Sequence, residues 1–215
     1  MNIVIVSPVD SWIRPFASML ERVLEPEHNV KLIGDHNDSE GADIAFYLGY
    51  DRIVAKSCLV RHKNNVVVHE SALPEGRGMS PMTWQIIEGK RNIPVTLFEA
   101  AEAVDAGSIY MQRFMETLGN ELLPELRAQL GQITVDMCVS FVGQYPAIVA
   151  HGWPQTGEPS FYPRRTPLDS RLDPYKTIDE QFDLLRVVDN ERYPAFFELR
   201  GRRYRLLVET MDDES

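Results

Sequence analysis

The chain has 215 residues, 44% hydrophobic and 25% charged, a size and balance that suit one soluble α/β domain with a small appendage and exclude two large domains. Its net charge of −10 argues against a general nucleic-acid binder, because phosphate contacts need lysine and arginine in excess. Cys58 and Cys138 form no CxxC pair, so neither a zinc site nor a disulfide framework is expected.

The chain opens on Ile3-Val4-Ile5-Val6, a β-branched run that reads as a buried strand and not as a signal peptide. No apolar run approaches the roughly 18 residues of a membrane helix, so a cytoplasmic protein with no membrane partner is expected. Ser11 to Leu24 carries Ile13, Phe16, Met19, Leu20, Val23 and Leu24 at helical spacing. Val30 to Ile33, Ala42 to Leu48 and Asn65 to His69 read as three further strands. Ser80 to Gly89 reads as a helix, with Pro81 in its first turn and Gly89 as its stop. Val95 to Phe98 and Ile109 to Gln112 are two more strands. Leu122 to about Val142 is a long amphipathic helix whose apolar positions are core contacts. This alternation predicts an α/β fold, a doubly wound, mostly parallel sheet spanning residues 1–150.

After Ala150 the composition changes. Residues 151–175 read as an extended connector rich in Gly, Pro, Arg and aromatics. Residues 176–215 read as a small α+β unit: a helix over Thr177–Val188, then a hairpin of Ala195–Leu199 and Tyr204–Val208, with Met211–Ser215 frayed.

Reactive groups concentrate where the strand Val66-Val67-Val68 ends in His69 and runs into Glu70-Ser71-Ala72-Leu73-Pro74-Glu75-Gly76-Arg77-Gly78-Met79-Ser80-Pro81. Asp105 follows 36 residues later in Asp105-x-Gly107, nine residues after Thr96. A lone strand-end histidine is most often a structural hydrogen-bonder, and Asp-x-Gly alone suits a turn. His28, His36, His62 and His151 have no such surroundings and read as structural or exposed.

His69-x-Ser71-x-Leu73-Pro74 with Arg77-Gly78 and Pro81, Val95-Thr96, Asp105-x-Gly107, and Tyr162-Pro163-Arg164-Arg165-x-Pro167-x-Asp169 together resemble the formyltransferases that use 10-formyltetrahydrofolate. The likeness covers most of residues 40–170, and it implies a Rossmann-like catalytic core, a folate formyl donor and no metal. It implies that His69 hydrogen-bonds or transfers protons at the tetrahedral centre formed when an amine attacks the formyl carbon. Asp105 would hold His69 in the right state and move protons. The family has an Asn two residues before the His. Here that position is Val67, and Asn65, on the same strand face by alternation, is the candidate substitute.

The resemblance also implies a folate site along Leu48, Gly49, Tyr50, Arg52 and Ile53, with Ser71, Leu73, Ala103 and Asp105. Gly49 would let backbone approach a flat ring, and Ser71 is either a folate contact or a loop hydroxyl. Arg77, Gly78, Met79, Ser80, Pro81, Trp84 and Thr96 are the candidates for the acceptor side, although Trp84 suits the core equally. Arg164 and Arg165 read either as surface charges or as docking and phosphate groups. Within the family the chain is most similar to the sugar N-formyltransferases, whose acceptors are nucleotide-linked aminodeoxy sugars of surface glycans such as lipopolysaccharide. Gly76 to Pro81 with Trp84 resembles a branch tied to nonulosonic, pseudaminic-type sugars. The alternatives are a methionyl-tRNA or glycinamide ribonucleotide formyltransferase, and a folate- or sugar-nucleotide-binding relative without catalysis. A homodimer is compatible with this reading.

Overall fold

The structure is a computed structural model, and it describes residues 1–101 and 105–211. The central sheet contains β1 (Asn2–Val6), β2 (Asn29–Ile33), β3 (Ala42–Tyr47) and β4 (His62–His69). After a two-residue strand outside the sheet, β5 (Arg77–Gly78), it is completed by β6 (Asn92–Glu99) and β7 (Ile109–Glu116). The spatial order is β2-β1-β3-β4-β6-β7. The first four strands pair in parallel, whereas β6 runs antiparallel to both β4 and β7. The reversal follows from the connection. Helix α3 (Pro81–Ile87) has seven residues and is only about 10 Å long, too short to carry the chain back along an eight-residue strand.

Strand alternation divides the core. Ile3 and Ile5 of β1 pack on one face against α1 (Arg14–Leu24), α3 and α4 (Leu123–Gln144). Val4 and Val6 face the other way. There the cover is thinner: Tyr50, Val54 and Leu59, carried by a loop and the single-turn α2 (Lys56–Leu59). Helices α1 and α4 cross closely because a Cβ on Gly131 would lie 2.4 Å from the Phe16 ring.

Residues 151–175 do more than connect. Trp153 exchanges backbone hydrogen bonds with Ile109, soon after the single-turn α5 (Ala147–Ala150). Strand β8 (Phe161–Tyr162) then pairs in parallel with β5. The continuous helix expected over Thr177–Val188 is instead a 3-10 turn, Asp179–Gln181, followed by the four-residue α6 (Phe182–Leu185). Gln181 explains the break. Its amide donates to the carbonyls of Asp173, Lys176 and Thr177, tying the helix start back onto the preceding loop. Strands β9 (Ala195–Leu199) and β10 (Arg202–Leu206) form the hairpin, whose turn residues Arg200 and Gly201 both take positive φ, as a two-residue hairpin turn requires.

Ion pairs fasten this unit to the core. The Arg186 guanidinium is fully buried, 2.9 Å from Asp183 and 3.2 Å from Glu121. Arg91 reaches Asp183 at 2.6 Å, and Arg127 of α4 reaches Asp189 at 3.0 Å. Arg186→Ala is expected to destabilise the protein by about 3 kcal/mol, read as a lower urea midpoint, because two half-sheltered carboxylates lose their counter-charge. Burial pushes the Glu121 and Asp183 carboxyls up. Hydrogen bonds from the Leu118 and Gly119 amides to Glu121, and from Arg91 and Arg186 to Asp183, outweigh it and hold both below the usual range. A carboxyl lowered on folding contributes stability above its unfolded value and loses it as pH falls through the folded one. The melting temperature is therefore expected to drop below about pH 4, and less so in Arg186→Ala.

Candidate active site

His69 ends β4, where it pairs with Thr96 of β6, and its side chain is buried. Its Nε2 lies 2.9 Å from the Gly76 carbonyl. A carbonyl only accepts, so Nε2 carries hydrogen. The Asp105 carboxylate stands 4.0 Å from the same nitrogen, and it accepts the Gly78 amide at 3.0 Å. The two predicted reactive groups therefore meet, although 36 residues separate them.

The loops that hold them leave little freedom. Asp105 has a φ of 51°, a left-handed conformation in which Asp is enriched. A Cβ on Gly107 would lie 1.7 Å from the Glu99 carbonyl oxygen. Gly78, at φ 100°, would bring one to 2.4 Å from the Tyr162 carbonyl, so β8 presses directly on the loop after His69. Gln155 ties these pieces together. Its amide donates to the carbonyls of Asp105 and Gly107, at 2.8 and 2.9 Å, and its oxygen accepts from Arg77 at 2.6 Å. Nothing in the sequence marks Gln155, which sits in a Gly- and Pro-rich stretch with no motif. Gln155→Ala is expected to lower kcat about 10- to 100-fold by loosening Asp105, with little change in melting temperature.

His69 and Asp105 open into a cavity of about 740 Å³ at the carboxyl end of the parallel strands, where open α/β sheets place ligands. Its walls include Tyr47, Tyr50, Val54, Val67 and Phe98, from the thinly covered face of the sheet. Trp12, Met82, Leu123 and Leu130 belong to the helix-covered face. Arg127, Arg164, Arg165 and Arg192 line it as well. Each is engaged: Arg127 with Asp189, Arg164 with Asp51 at 2.9 Å, Arg192 with Asp10 at 3.7 Å, and Arg165 with the carbonyls of Val187 and Asp169.

Of the expected donor-side residues, Gly49, Tyr50, Arg52 and Ile53 line the cavity with Asp105, as do Gly78, Met79, Ser80 and Pro81 on the acceptor side. Ala103 lies outside the described residues. The others depart from expectation. Asn65 is not an oxyanion donor: its amide donates to the Leu59 carbonyl at 3.0 Å and its oxygen accepts from Tyr47 at 3.1 Å. Thr96 is fully buried and donates to the Ser71 carbonyl at 2.6 Å, so it shapes the loop and is not a cavity residue. Trp84 stacks on Tyr162 and donates to the Pro163 carbonyl, bracing β8. Arg77 is turned to Gln155 and away from the cavity. Leu48 belongs to the core, and Leu73 packs with Phe98 and Ile109. Ser71 is buried, and its hydroxyl has no hydrogen-bond partner among the described residues. Gly49 owes its glycine to the β1–α1 loop, since a Cβ would lie 2.7 Å from the Ser11 hydroxyl. Among the described residues no group of three or more His, Cys, Asp or Glu is placed to hold a metal, and no helix is long and apolar enough to cross a membrane.

Residues 15–140 match the formyl transferase family model, a span that contains both His69 and Asp105. The chain belongs to the formyl transferase family. The methionyl-tRNA formyltransferase of Coprothermobacter proteolyticus is 27% identical over 136 residues, covering 63% of this chain and 45% of that protein. The chain spans about half the length of the curated family members it matches. Among solved structures, a methionyl-tRNA formyltransferase from Clostridium thermocellum superposes with a TM-score of 0.82 at 23% identity, covering 100% of this chain and 95% of that one. A sugar N-formyltransferase from a Shewanella species superposes with a TM-score of 0.69 at 16% identity, covering 99% of each chain. At these identities the superpositions establish the shared family fold.

Proposed function

We propose that the protein transfers a formyl group from 10-formyltetrahydrofolate to the primary amine of a nucleotide-linked aminodeoxy sugar. The observation that carries the reading is the His69–Asp105 pair lining a cavity with an apolar wall and a set of arginines, in a chain of this family. The apolar wall fits a flat heterocycle. Tyr47, Tyr50, Val54 and Val67 supply faces, and backbone from Gly49 to Ile53 and at Ala100–Ala101 borders them. The folate supplies the formyl group on its N10 nitrogen. His69 shares its Nε2–H between the Gly76 carbonyl, which holds it at 2.9 Å, and the oxygen that gains negative charge as the acceptor amine attacks. Val67 supplies no donor, so that hydrogen bond rests on His69. Asp105, fixed by the Gly78 amide, orients the imidazole and accepts the proton of the attacking amine directly or through one water, and a proton reaches N10 as the C–N10 bond breaks and tetrahydrofolate leaves.

A sugar acceptor is favoured over tRNA by the net charge of −10, which gives no excess of cations for a long phosphate backbone. The second reading, methionyl-tRNA as acceptor, is favoured by the names of the curated relatives. Comparing kcat/KM for UDP-, dTDP-, GDP- and CMP-linked amino sugars with that for methionyl-tRNA decides between them. One amino sugar used at least about 100-fold better than the tRNA supports the proposal, and the reverse order replaces it.

A further inference from the structure

We infer that the Glu70 carboxylate pairs with the ammonium of the acceptor and takes a proton from it, delivering a neutral amine to the carbonyl held beside His69. The inference rests on the reading of the site as an amine formyltransferase, and it adds a residue that reading leaves without a role. Glu70 lines the same cavity as His69 and Asp105. The Ser71 amide donates to the His69 carbonyl at 3.0 Å, so the chain bends sharply with Glu70 at the apex. Gln85 of α3 holds the Glu70 carbonyl at 2.6 Å, anchoring the backbone at that position. This tie places Glu70 at the α3 side of the cavity, beside Met82 and Thr83 of that helix. Val67 belongs to the other, thinly covered face, which borders the proposed donor site.

Among the described residues, no side chain makes a hydrogen bond or ion pair with the Glu70 carboxylate, although it is partly buried. The groups around it are spoken for. Arg127 from α4 is held by Asp189, and Arg192 by Asp10 of the β1–α1 loop. Arg165 is buried among backbone carbonyls. His69 is bonded to Gly76, and Asp105 carries the same sign as Glu70. Burial pushes the Glu70 carboxyl above the usual carboxylate range; His69 and the residue's own backbone amide offset it only in part, and Asp105 adds to it. A sheltered acid with no counter-ion, at the acceptor side of a reacting centre, suits a cationic amine. The step balances: the N–H bond of the ammonium breaks, the proton joins a Glu70 oxygen, and the freed nitrogen lone pair attacks the formyl carbon.

The test compares wild type with Glu70→Gln and Glu70→Asp, using UDP- and dTDP-linked amino sugars and their hydroxyl counterparts. Two readouts apply: the pH profile of kcat/KM, and thermal stabilisation by each sugar. Wild-type kcat/KM is expected to rise through a limb above the ordinary carboxylate range, and its stabilisation to favour the amine. Glu70→Gln is expected to lower kcat/KM about 100-fold near pH 7, to recover as pH approaches the pKa of the amine itself, and to lose the preference for amine over hydroxyl. Glu70→Asp keeps the carboxylate and should retain both the limb and the preference, which separates loss of charge from damage to the fold. An unchanged profile and preference in Glu70→Gln overturns the inference, as does a wild type with no amine preference at any pH. Should wild type formylate no amine yet lose amine preference in Glu70→Gln, the transfer reading fails and the Glu70 ammonium site stands.

Discussion

His69→Ala is expected to lower formyl transfer about 100- to 10,000-fold while the protein still folds and binds the donor. The imidazole sits at the end of β4 with the Gly76 carbonyl and the Asp105 carboxylate facing its Nε2. Removing it takes away the hydrogen donor at the reacting oxygen and leaves the apolar wall intact. Asp105→Asn should fall into the same range, because an amide can neither take a proton nor favour hydrogen on Nε2. The two effects should not add. The residues act as one unit, so the double variant is expected to be scarcely slower than the worse single one. Single-turnover rates, with donor binding followed by tryptophan fluorescence, check both points. Loss of donor binding in parallel with loss of rate would show that His69 serves the cavity wall and not the chemistry.

Gly107→Ala is expected to cost nearly as much activity, although Gly107 touches no substrate. Its Cβ would have to occupy space 1.7 Å from the Glu99 carbonyl oxygen and 2.7 Å from its carbon. Neither is the end of a flexible chain. Glu99 is itself anchored: its carboxylate accepts from the Asn65 backbone N–H at 2.7 Å and from the Tyr110 hydroxyl at 2.7 Å, so β6 cannot retreat cheaply. The loop must move instead, and it carries Asp105 two residues earlier. A displacement of about 1 Å at a reacting group costs about 100-fold in rate. The same substitution should lower the melting temperature only modestly if the Asp105 loop shifts alone. A wild-type rate in Gly107→Ala would mean that the loop has slack the structure does not display.

Much of this was legible in the chain because it depends on local chemistry. The β-branched runs Ile3–Val6 and Val66–Val68 announce buried strands, and the three- and four-residue spacing from Leu126 to Phe141 announces α4. His69 and Asp105 were legible through the residues around them, not through their own types. The remainder depends on contacts that no local pattern encodes. The antiparallel turn into β6 comes from the short length of α3. The β5–β8 pairing joins two dipeptides more than eighty residues apart. Asn65 and His69 share a strand face, but only the positions of Tyr47 and Leu59 decide that the Asn65 amide is already engaged. Trp84 and Thr96 belong to the motif yet support it from behind, Trp84 by holding β8 and Thr96 by holding the Ser71 carbonyl. Gln155 bonds both the Asp105 loop and Arg77, and it has no sequence signature at all.

The most direct test of the whole account is tetrahydrofolate release from 10-formyltetrahydrofolate across the panel of nucleotide-linked amino sugars, run with wild type, His69→Ala and Asp105→Asn side by side. The account predicts release that requires an amino sugar, yields the N-formyl sugar and collapses in both variants. Amino-sugar-dependent release that survives in both variants would contradict it. So would a wild type that binds the folate but formylates no sugar amine.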